Sequence, residues 1–168
     1  MFRNIAEAIN LMLRSIGRLL LCLLLCAGVA GIAGLVTAPE INGWYVSLAK
    51  PSWTPSRSVF PIAWTILYGL MALSLWRLWD RTIPSPARRE AMLFFFVQLA
   101  LNAIWSPVFF GLHNLHIALA IVIVLVVAII GTIFTSARVD RPAAWLLVPY
   151  FFWVAYATTL NAGIVAMN

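Results

Sequence analysis

AMLFFFVQLALNAIWSPVFFGLHNLHIALAIVIVLVVAIIGTIFTSA, residues 91–137, lies between Glu90 and Arg138 without a single Asp, Glu, Lys or Arg. These 47 residues are too many for one membrane crossing, which takes about 20 residues in a helix. Two crossings fit, broken at Gly111-Leu112-His113-Asn114-Leu115-His116, where polar and turn-forming residues cluster. Working outward, charge-free runs also occupy Leu19 to Pro39, Ser58 to Trp76 and Pro142 to Asn168. The expected fold class is therefore an all-α integral membrane protein, a five-transmembrane-helix bundle. Its spans fall at about 19–38, 58–79, 91–110, 117–136 and 143–166. Residues 1–18 form a basic N-terminal segment ahead of a single membrane domain, 19–168.

Composition agrees. Hydrophobic residues make up 64% of the chain, charged residues 10%, and the mean hydropathy is +0.99. A soluble domain carries about a quarter charged residues, and a small core could not hide this much apolar surface. The net charge of +6 does not point to nucleic acid, because the basic residues sit at the ends of apolar runs and build no basic face. They instead set topology. With five spans, nine Lys/Arg fall with the N-terminal segment and the loops near 80–90 and 137–142, against Lys50 and Arg57 on the other side. That asymmetry predicts a cytoplasmic N-terminus and an external C-terminus, in a bacterial inner membrane.

A cleaved signal peptide is the other reading of the first run, since Val36-Thr37-Ala38 resembles a small-residue cleavage site. The run exceeds the usual h-region of roughly 7–15 residues, however. Ala27, Ala30, Gly31 and Gly34 also offer the small-residue face of a helix that packs closely in lipid. A retained helix is expected. Cys22 and Cys26, one turn apart, read as small packing residues.

Eight tryptophans punctuate the chain. Trp76, Trp79 and Trp145 lie near arginines at span ends and read as an interfacial belt. The others fall into stripes: Trp64, Tyr68, Met71 and Leu75 on the second span, Gln98, Asn102, Trp105 and Phe109 on the third, Tyr150, Trp153, Ala157 and Asn161 on the fifth. Two readings stay open. The stripes are either ordinary packing with the amides as interhelical hydrogen-bond glue, or the wall of a cavity for a flat aromatic ligand. The 39–57 loop, with Trp44, Tyr45, Trp53 and the stiffening Pro51 and Pro55, reads as a lid on the bundle mouth or as an interfacial anchor.

These segments resemble the TspO/MBR family, the tryptophan-rich sensory and translocator proteins. The resemblance rests on Trp44-Tyr45, Lys50-Pro51-Ser52-Trp53-Thr54-Pro55, Phe60-Pro61-Ile62-Ala63-Trp64 with Tyr68, Leu101-Asn102-Ala103-Ile104-Trp105-Ser106-Pro107, and Pro149-Tyr150-Phe151-Phe152-Trp153 with Ala157, Leu160 and Asn161. It runs in order from about Trp44 to the C-terminus. It implies a five-helix bundle, often a homodimer, that binds protoporphyrin IX-like tetrapyrroles and other hydrophobic ligands, with no covalently held cofactor. The pocket positions it implies are Trp44, Trp64, Tyr68, Asn102, Trp105, Tyr150, Trp153 and Ala157, with Pro51 and Trp53 shaping the lid. Two departures stand out. No Lys or Arg follows Arg141, so the basic residue of the family's cholesterol motif is missing. The basic, partly amphipathic N-terminal extension is longer than expected, with anionic lipid as a binding surface to consider.

Three functions are compatible with this reading: a tetrapyrrole-binding sensor or transporter, a photo-oxidative porphyrin-degrading enzyme, and a scaffold that organises membrane partners. The residues lean against the enzyme. No acidic or basic side chain sits inside a span to move protons, and His113 and His116 read as polar turn residues rather than metal ligands.

Overall fold

The computed structural model describes residues 2–168; the side chain of Arg3, counted in the charge bias above, lies outside the described residues. Seven helices follow in chain order: α1 (Phe2–Ile41), α2 (Trp44–Ser47), α3 (Val59–Asp80), α4 (Pro86–Ser106), α5 (Leu115–Ala137), α6 (Arg141–Leu146) and α7 (Val148–Met167). A π-helical turn, Pro107–Gly111, extends α4. Five helical stretches are long and apolar enough to cross a membrane: α1 from Glu7, α3, α4 with its π turn, α5, and α6 with α7.

The first helix is longer than its span requires. No proline lies between Phe2 and Pro39, and the glycines there are scattered among good helix formers, so the basic N-terminal segment and the first span form one helix of 40 residues. At 1.5 Å per residue that is about 60 Å, twice a typical hydrocarbon thickness.

Local chemistry sets the other boundaries. Ser85 caps α4, its hydroxyl accepting from the Arg88 amide at 3.2 Å, with Pro86 at the first helical position. Pro107 has no N–H to continue the α ladder. The chain widens there, and the Leu112 amide donates five residues back to the Pro107 carbonyl at 2.9 Å. His113, at φ 53°, reverses the chain, and the Asn114 side chain caps α5 by accepting from the Ile117 amide at 3.0 Å. Pro149 cannot donate to the Trp145 carbonyl, which accounts for the break at Leu147 between α6 and α7.

The main packing pairs are α4 with α5 and α1 with α3, with α5 also against α7. The core centres on Met71, Leu75, Phe95, Leu125, Ile129 and Val154, joined by the free thiols of Cys22 and Cys26. A Cβ placed on Gly131 would approach Phe94 Cε1 at 2.6 Å, so this glycine sets how closely α4 and α5 meet.

The small residues of α1 do something else. A Cβ added at Gly31 or Gly34 would meet nothing within 4 Å, so these two glycines set no close approach within this chain, whereas Ala30 of the same face packs against the core.

Charged groups gather at one end. Asp80 accepts from Ser15 Oγ at 2.7 Å and pairs with Arg18 at 3.1 Å. Asp140 receives both Nε and Nη2 of Arg77 at 2.8 and 3.2 Å. Arg81 lies 4.8 Å over Trp76 and Arg18 5.5 Å over Trp79, the cation–aromatic arrangement suited to an interface.

Candidate functional site

The aromatic stripes of α3, α4 and α7 converge. Trp64 and Tyr68, Asn102 and Trp105, and Trp153 and Ala157 all wall one internal cavity of about 700 Å³. That volume lies within the roughly 300–1,000 Å³ of small-molecule sites. Three indoles and the Tyr68 phenol give it flat stacking surface, and Ala157 leaves room beside Trp153.

Four other residues singled out from the sequence lie off this wall. Trp44 turns away and stacks on His113, with ring centroids 4.1 Å apart and planes 18° from parallel; His113 Nε2 in turn meets Glu40 Oε2 at 3.1 Å. Pro51 is buried against α7, where a Cβ on Gly163 would collide with its Cγ. Trp53 is 52% exposed, and its carbonyl ties the loop to α7 by accepting from the Tyr156 hydroxyl at 2.6 Å. Tyr150 is fully buried behind Asn102.

The cavity's polar groups are unequally committed. Asn102 accepts from the Tyr68 hydroxyl at 2.5 Å and donates to Tyr150 at 3.0 Å. Trp105 Nε1 donates to Asn161 Oδ1 at 3.2 Å, and Asn161 donates to the Leu115 carbonyl at 3.3 Å. These amides are therefore structural links, as the glue reading expects. Gln98, which shares the α4 stripe but lies off the cavity wall, is not: it is 1% exposed, and neither amide atom has a partner within the protein. Trp153 differs from Trp105, since its Nε1 is buried without an acceptor. A buried N–H without a partner is costly, and this one is shielded from the cavity as well as from solvent, so Trp153 lines the cavity with its ring.

Several residues of the site were passed over in the sequence. Ala30, Ala33 and Gly34 of α1 line the cavity, and their smallness makes space for a ligand. Tyr45, Lys50, Arg57 and Phe60 stand around the lid side. Lys50 and Arg57 are the two basic residues that the charge count assigned to topology alone. Lys50 Nζ donates to the Leu48 carbonyl at 2.8 Å and lies 4.7 Å over the Tyr45 ring; Arg57 donates to Asn42 Oδ1 at 3.0 Å. Burial, and then the neighbouring Arg57, holds the Lys50 ammonium below its ordinary pKa. Burial pushes the Tyr45 phenol up, with Arg57 opposing. Among the described residues no three His, Cys, Asp or Glu side chains cluster to hold a metal ion.

A five-helix membrane protein whose interior holds an aromatic, lid-covered cavity is the class that this architecture defines. The TspO/MBR family pattern matches residues 21–167, and the chain belongs to that family. It is 37% identical over 150 residues to the tryptophan-rich sensory protein of Cereibacter sphaeroides, covering 89% of this chain and 91% of that one. Similarity to the tryptophan-rich protein TspO of Chlorobaculum tepidum is 38% over 151 residues, covering 89% and 95%. The translocator protein of Homo sapiens is 35% identical over 119 residues, 70% of each chain.

Proposed function

We propose that this protein is a membrane receptor or transporter for tetrapyrroles of the protoporphyrin IX kind and related flat hydrophobic ligands, acting in tetrapyrrole regulation or stress response. The observation that carries the reading is the cavity of about 700 Å³ walled by Trp64, Tyr68, Trp105 and Trp153. Its faces suit a planar macrocycle, and the two cations beside the lid suit acidic substituents. The cavity offers no carboxylate or histidine to move protons, which favours binding over hydrolytic or acid–base chemistry.

The same reading places the chain in an inner membrane with the N-terminus cytoplasmic. Supporting this, Arg18, Arg77, Arg81 and Arg138 all take part in ion pairs at the end opposite the lid. A homodimer is part of the proposal, from family membership.

The test is a protoporphyrin IX titration of detergent-solubilised protein, read by tryptophan fluorescence, in wild type, Trp64→Phe and Trp153→Phe. Saturable quenching that weakens in both variants is the expected result. Non-saturating quenching, equal in all three, would mean partitioning into the micelle and would overturn the proposal.

A further inference from the structure

The N-terminal part of α1 is unaccounted for by the cavity. The family pattern begins at residue 21, and Ser15 ties α1 to α3, through Asp80 and through its carbonyl, which accepts from Trp76 Nε1 at 3.2 Å. Asp80 ends α3. From Ser15 back to Phe2 the helix runs on for about 20 Å at 1.5 Å per residue, past the tryptophans and arginines that mark the interface. Every described side chain from Ile5 to Arg14 is exposed.

This stretch is two-sided. At 100° per residue, Ile5, Ile9, Met12, Leu13 and Ile16 fall on one side. They are between 46% and 57% exposed. Glu7, Asn10 and Arg14 fall on the other, with Leu11 at the edge of the polar side as the one large apolar exception among the described side chains. The apolar side shares its direction with Leu20, an exposed residue of the span itself, so it continues the surface that the span turns to lipid. Held straight, the helix would keep this row of large apolar side chains in water.

At the junction stand Ser15 and Gly17. Serine–glycine pairs are common points of sharp helix bending, and a Cβ on Gly17 would meet nothing within 4 Å, so no close packing requires a glycine there. Three arginines against one glutamate up to Arg18 give the segment a positive balance.

We propose that residues 2–16 turn off the axis of the first span at Ser15–Gly17 and lie on the membrane surface at the Asp80 end. The apolar side rests on the acyl boundary, and the arginines pair with anionic lipid headgroups. This segment anchors and orients the first helix independently of what the cavity binds.

The test uses the full chain in nanodiscs of phosphatidylcholine, with or without phosphatidylglycerol. Cys22 and Cys26 are replaced by alanine, and an NBD fluorophore is placed on Ile9→Cys or Asn10→Cys. The expected result is a blue-shifted emission at position 9 that doxyl-labelled lipid quenches, with water-like emission at position 10. The contrast should strengthen with phosphatidylglycerol and weaken in Arg14→Glu or when Gly17→Ala stiffens the junction. Water-like emission at both positions would overturn the proposal, since the helix would then stand free. So would a position 9 that is shielded from water yet untouched by the lipid quencher, with shielding that rises with protein-to-lipid ratio; a second copy would then be the cover.

Discussion

The Tyr68 hydroxyl donates to the Asn102 carbonyl oxygen at 2.5 Å, joining α3 to α4 on the cavity wall. The Asn102 amide passes on to Tyr150 at 3.0 Å, so one side chain satisfies two buried phenols from different helices. Asn102→Ala leaves both without this partner, at a cost of about 1–3 kcal/mol per unpaired buried group. We expect a clear fall in thermal midpoint in detergent, larger than for Tyr68→Phe. An Asn102 that only oriented ligand would leave the midpoint of the empty protein unchanged.

Trp153 is predicted to act on ligands through its ring. Trp153→Phe should weaken binding of a tetrapyrrole by roughly 2–10-fold, the worth of one aromatic contact. A purely hydrocarbon aromatic of similar shape should lose about as much, because the indole N–H is buried away from the cavity. A loss confined to ligands that carry acceptors, measured by competition, would assign a hydrogen bond to Trp153 instead.

Gly163 lets the lid sit down on α7. Gly163→Ala puts a methyl group into the Pro51 ring, and neither the ring nor the helix backbone yields easily. We expect about 1–3 kcal/mol of destabilisation and faster proteolysis within residues 42–58. Gly31→Ala, where the added carbon meets nothing within 4 Å, should be neutral or slightly stabilising.

Tyr45 gives a pH signature outside the spans. Its phenol pKa is raised from the ordinary value of 10.0, chiefly by burial. Below that pH the folded and unfolded chains both keep the proton and the contribution is fully present. As pH climbs from 10 toward the raised value the unfolded chain ionises first, and stability is lost. The thermal midpoint of wild type should therefore fall more steeply above pH 10 than that of Tyr45→Phe, as scanning fluorimetry would show.

The five crossings were legible because charge is so costly in hydrocarbon that its absence over residues 91–137 left few alternatives. The extent of α1 was not, since a basic segment reads as an extramembrane tail whether or not it is helical. The Leu147 break and the π turn hang on single prolines, Pro149 and Pro107, whose effect depends on which carbonyl they fail to reach. Within the site, Trp64, Asn102, Trp105 and Trp153 stood out because long helices carry a readable period. Trp44 sits in a helix of four residues, too short for any period to tell the cavity from His113. Lys50 and Arg57 were visible but absorbed into a count of charges, Ala33 was not singled out, and Ala30 and Gly34 were read only as part of a packing face.

That last misreading has a consequence of its own. The first helix supplies the cavity with neither aromatic ring nor amide; beside Thr37 and Ile41 it gives chiefly the room left at Ala30, Ala33, Gly34 and Ala38. On the proposed function, how large a guest fits is set chiefly on α1, while what the guest must look like is set on α3, α4, α7 and the loop that carries Lys50 and Arg57. Enlarging Ala33 by a few carbon atoms would shrink the chamber and leave every recognition group in place. Size and identity are thus written on separate helices, so a lineage could retune one without relearning the other.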